Sequence, residues 1–110
     1  MRRNPKTKVE KLKKYREVQT WLKTISKSSI PIYLNALVKF CEFTGKNPKE
    51  LILMRDKEIR NPDPNARTQV RDLILDFREY LEKEGYAPKT INALDGAIRS
   101  FFSANLGKLE

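Results

Sequence analysis

A chain of 110 residues, 39% of them apolar, has the size of one small domain with a modest core, and its single cysteine, Cys41, excludes an internal disulfide. It contains no histidine, which excludes imidazole catalysis and argues against a zinc site. The net charge is +9 and sits at the front: residues 1–27 hold ten bases against Glu10 and Glu17, whereas the remaining 13 bases meet 12 acids.

A basic front on a near-neutral body points to a polyanionic partner. A solvated, charged helix face is the plainer alternative. No apolar run reaches the roughly 18 residues of a membrane span, and no apolar stretch follows the charged N-terminus as a secretory signal requires. The expectation is a soluble, cytoplasmic protein of a reducing compartment, with no membrane partner, no small-molecule substrate and no cofactor.

In chain order, Thr7 to Glu10 fits a capping box. Val9, Leu12, Tyr15, Val18, Trp21, Leu22 and Ile25 then recur at steps of three and four, predicting one helix over 8–25 that frays at its start. Ser26–Ser29 reads as a loop with a cap at its end. Pro31 suits the first turn of a second helix, 30–43, whose apolar residues Tyr33, Leu34, Leu37, Val38, Phe40 and Cys41 cover more than half its circumference. That helix should be central, with Gly45 as its left-handed stop and Cys41 as a small core residue.

Asn47-Pro48-Lys49-Glu50 opens a short helix with a cap, a proline and an acid at the third position. "NPDPN" (Asn61–Asn65) is a loop inside one domain. Arg67–Glu84 carries Val70, Leu73, Ile74, Phe77 and Leu81 at helical spacing, and Gly85 closes it. Its Asp72, Asp76 and Glu79 read as surface ion pairs with Arg71, Arg78 and Lys83. The last helix, 88–105, turns Ile91, Leu94, Ile98, Phe101 and Phe102 inward and ends at Gly107. No segment alternates with period two. The fold class is all-α, a bundle of four main helices and one short one.

The second and last helices run in parallel in sequence. Both open on a base followed by a hydroxyl: Lys27-Ser28-Ser29 and Lys89-Thr90. A helix start offers free N–H groups and the positive end of the macrodipole, so each opening is a candidate phosphate site as well as an ordinary cap. On the outer side of the last helix stand Asn92, Ala93, Gly96, Arg99 and Ser103. Asn92 and Arg99 are of the types that read base edges bidentately. Gly96 costs about 1 kcal/mol against alanine inside a helix, which either close helix packing or close approach to a partner would explain. There is no Gly-rich phosphate loop, no CxxC and no acid pair in an apolar setting, so catalysis by this chain is not expected.

"VQTWLKTISKSSIPIYLNALVKFCEFTGKNP" followed by "LILDFREYLEKEGYAPKTINALDGAIRSFF" resembles the core-binding, SAM-like N-terminal domain of tyrosine recombinases, the phage-integrase family. The carrying features are Ser29 four residues before Tyr33, Phe43 and Gly45 at the end of that helix, and the "P-K-T-I-N…L…I-R-S-F-F" pattern. The resemblance covers roughly residues 17–107. It implies a helical bundle forming half of a clamp around double-stranded DNA, acting in integration or site-specific recombination beside other protomers. The DNA-facing positions it implies are Lys27, Ser28, Ser29, Lys89, Thr90, Asn92 and Arg99. Ala87 departs from the family's capping serine, Ala93 stands where a base is common, and Ile30-Pro31 is unusual after Ser29. The family's catalytic domain, with its tyrosine, arginines, lysine and histidine, is not in this chain. On this reading residues 1–16 are a basic, partly frayed segment, 17–108 the core-binding domain, and Leu109-Glu110 a cloning scar. The other reading is a helical protein–protein interaction module.

Overall fold

The structure, a computed structural model, describes residues 5–106, with side chains from Lys8 onward. It contains α1 (Pro5–Lys13), α2 (Arg16–Leu22), α3 (Ile30–Thr44), α4 (Pro48–Arg60), α5 (Gln69–Lys83) and α6 (Pro88–Leu106), with a 3-10 turn over Pro64–Arg67. Among the described residues there is no strand, and the fold is an all-α bundle. Gly107, the expected stop of α6, and Leu109-Glu110 lie outside the described residues.

The expected helix over 8–25 is two helices. At Tyr15 the backbone turns extended, φ −76° and ψ 134°, and the chain re-enters a helix at Arg16. The Gln19 side chain donates to the Lys13 carbonyl at 3.2 Å, satisfying one acceptor that the break frees. Apolar spacing survives the break because both pieces pack on one core, with Leu12, Val18 and Trp21 buried. Helix α1 is described from Pro5, so Thr7 lies inside the helix and not at its cap.

The core is aromatic. Trp21, Phe40, Phe77, Phe101 and Phe102 are fully buried. Trp21 meets Phe101 edge-on at 5.3 Å between ring centres and stacks on the half-buried Tyr33 at 5.8 Å. Its indole N–H donates to the Ser100 hydroxyl at 2.8 Å, so no donor is stranded in the apolar interior. Helix α6 is the hub, touching α2, α3, α4 and α5, while α3 packs on α1, α5 and α6.

Local chemistry sets several boundaries as expected. Asn47 and Glu50 form a reciprocal capping box at 2.8 and 2.9 Å. Gly45 and Gly85 end α3 and α5 at φ 71° and 90°, where a side chain would be strained. Helix α4 is longer than expected, 13 residues. The reason lies at its far end. Glu58, only 3% exposed, accepts the backbone N–H of Gln69 at 2.8 Å and holds Arg55 at 2.8 Å. A carboxylate on α4 thus caps α5, which has no side-chain cap of its own. Between them "NPDPN" is an ordered turn: Asp63 N–H donates to Asn61 Oδ1, Asn65 N–H to Asp63 Oδ1, and Arg67 to the Asn61 carbonyl.

Candidate nucleic-acid interface

The two helices that look alike in sequence lie side by side. Ile32, Asn35 and Lys39 of α3 face Lys89, Thr90 and Ala93 of α6 across one groove, in which the middle of α3, at Lys39, lies beside the start of α6. Tyr86 stands at the groove's end, with the Lys39 ammonium 5.5 Å from its ring centre, a cation–π distance that fixes this otherwise flexible base.

Lys89, Thr90 and Asn92 are exposed. Lys89 enters no ion pair among the described residues. Ala87 accepts the first backbone bond of α6, from Ile91 at 3.0 Å, and has no side chain to cap with. The start of α6 therefore has no capping side chain at Ala87 and carries Lys89 and Thr90 in its first turn.

Lys27 and Ser28 are exposed on the turn before α3, and Ser29 is half-buried. Ser29 does not cap α3. Its backbone is already helical, φ −90° and ψ −17°, and its hydroxyl accepts from Ser26 Oγ at 3.1 Å instead of an α3 N–H. The reason is the turn itself, closed by Ser29 N–H to the Ser26 carbonyl at 2.9 Å, which points the hydroxyl backward. Lys27, Ser28 and Ser29 do not line the α3–α6 groove; Lys39 supplies the base on that side.

Asn92 and Arg99 are both engaged within the chain. Arg99 Nε donates to Asp95 Oδ1 at 2.6 Å. Arg78 of α5 donates to Asp95 Oδ2 at 2.5 Å and to Asn92 Oδ1 at 2.8 Å. Arg78 thus crosses to the neighbouring helix and does not form the expected pair within its own. Among the described residues the Asn92 amide N–H groups and both terminal nitrogens of Arg99 make no hydrogen bond. Sequence alone assigns Arg78 to a local pair because which helix lies beside α5 is a tertiary fact; the legible signal is opposite charge at the edges of two apolar stripes.

Gly96 is exposed, and a Cβ built there would meet nothing within 4 Å. Close helix packing, one of its two sequence-based explanations, is thereby overturned. Cys41 sits at the core's edge, where burial, reinforced by the Glu42 charge, pushes its thiol up to about 12, so it is no nucleophile at neutral pH. Among the described residues no helix is long and apolar enough to cross a membrane, and no cluster of acids or cysteine could hold a metal ion.

No family model, curated protein or solved structure matches the chain.

Proposed function

We propose that this chain is a duplex-DNA-binding module of the tyrosine-recombinase core-binding type, seating the DNA backbone across the α3–α6 groove at the opening of α6. The observation that carries the reading is the groove between α3 and α6, which opens at the start of α6 with Lys39 and Lys89 along it. Helix N-termini and lysines hold phosphates, and the small Ala93 and Gly96 let the α6 backbone come close. Asn92 and Arg99 contribute limited base reading through the donors that their internal bonds leave free. Lys27, Ser28 and the basic segment 2–27 add non-specific affinity or meet a neighbouring protomer. Strand cleavage in that family's manner needs a histidine-containing catalytic domain and is not assigned to these residues.

The test is fluorescence anisotropy of a short labelled duplex across a salt series. Each phosphate neutralised contributes about 0.9 to the slope of log affinity against log salt. The reading expects Lys89→Gln/Thr90→Ala to weaken binding and flatten that slope more than Lys11→Gln/Lys13→Gln, which changes two exposed lysines of α1. The reverse ranking would move the duplex to the basic front. One observation favours a second reading, a protein-interaction module: Ile32 is 59% exposed on the α3 side of the groove. That reading expects no appreciable duplex affinity once the α1 lysines are neutralised.

A further inference from the structure

Asp95 is an unusual neighbour for a surface meant to meet phosphate. Its side chain is only 13% exposed, and each oxygen accepts from a different arginine, Arg78 from α5 and Arg99 from α6. One carboxylate against two guanidiniums leaves the cluster one charge positive. A guanidinium carries five N–H donors. Arg78 commits two nitrogens, to Asp95 and Asn92, and Arg99 commits only Nε. The arginine side chains are 31% and 35% exposed, against 13% for the acid between them. The acid is the most buried of the three groups, and both guanidiniums keep donors that make no bond among the described residues.

The position matters as much as the chemistry. At about 100° per residue, Lys89 and Gly96 stand on the outward crest of α6, with Thr90 and Ala93 on the α3 flank and Asn92 and Arg99 on the α5 flank. The crest is bare at Gly96, where even a methyl group would meet nothing. A duplex lying along this crest has the α3–α6 groove, with Lys39 and Thr90, on one side and the two guanidiniums on the other. A carboxylate and a phosphate present similar oxygen pairs to a guanidinium fork.

We propose that Arg78 and Arg99 form a second backbone-phosphate site on the α5–α6 flank, in which the Asp95 carboxylate stands in for a phosphate oxyanion and limits how strongly the face holds DNA. This rests on the duplex-binding reading above, adds to it Arg78 from a helix outside the paired two, and moves Arg99 from base reading to a phosphate contact. The two ends of the ion pair then act with opposite sign. Arg78→Gln removes a phosphate partner. Asp95→Asn removes the competing charge and frees the forks. A purely structural pair gives the same sign from both ends, because either loss loosens the α5–α6 contact.

The experiment measures duplex affinity and its salt slope for the full chain carrying Arg78→Gln, Arg99→Gln, Asp95→Asn, and the triple change, with tryptophan emission reporting the fold. Each arginine change is expected to lower the slope by about 0.9, the value of one phosphate contact, uniformly across duplex sequences. Asp95→Asn is expected to raise affinity several-fold, and the triple change to abolish that gain. A folded Asp95→Asn variant that binds no better, or arginine variants with an unchanged slope, overturns the proposal. The arginine arm stands by itself should Asp95→Asn unfold. A wild-type chain that binds no duplex fails the underlying reading as well; one that binds through Lys89 and Thr90 yet ignores all three positions fails this proposal alone.

Discussion

Glu58 shows how one side chain can terminate two elements. Buried at 3% exposure, it caps α5 and pairs with Arg55, whose side chain is 12% exposed. Replacing it with alanine leaves a buried guanidinium and an α5 start without a partner. Glu58→Ala should cost about 3 kcal/mol, read as a lower midpoint in urea denaturation. Gly96 works in the opposite direction. With open space around it and an ordinary helical backbone, Gly96→Ala should stabilise the fold by about 1 kcal/mol, raising Tm by roughly 4 °C, and weaken duplex binding if the α6 crest meets DNA. Cys41 gives a pH test. Its thiol binds a proton more tightly folded than unfolded, so its contribution to stability is complete below the ordinary value of 9.0 and is lost as pH rises toward about 12. Cys41→Ala should flatten the denaturation midpoint against pH over that window.

Helices were legible in the sequence wherever an apolar stripe ran between strong stop signals. Gly45, Gly85 and the Asn47–Glu50 box are local chemistry, and they act as their sequence implies. The misreadings share one cause. The break at Tyr15 leaves apolar spacing intact, so periodicity alone cannot see it. The full length of α4 depends on Glu58 reaching Gln69, a contact made across the "NPDPN" turn. Ser29 has the composition of a cap, but the turn around it points its hydroxyl elsewhere. At this scale the role of α1 is testable. Leu12 is 8% exposed in the core, while the Lys8–Glu42 pair at 2.9 Å lies on the surface. Leu12→Ala should cost about 2 kcal/mol and expose the Lys13-Lys14 junction to trypsin, whereas Lys8→Ala should cost under about 0.5 kcal/mol.

For the whole molecule, α6 is both the hub of the core and the outward crest of the proposed interface. Its buried stripe, Ile91, Leu94, Ala97, Ile98, Phe101 and Phe102, fixes where Lys89, Thr90, Asn92 and Arg99 face. The likeness of α3 and α6, though not their contact, could be read from their sequences. The Arg78–Asp95–Arg99 cluster could not, because it depends on α5 lying against α6. The central claim is that the α3–α6 face, and not the basic front, receives the duplex. Amide chemical-shift mapping by NMR tests it most directly, with the full chain titrated by a short duplex. Perturbations are expected to concentrate at residues 32–39 and 89–99, with Arg78 joining them. Shifts confined to residues 8–27, with the α6 amides unmoved, would contradict it.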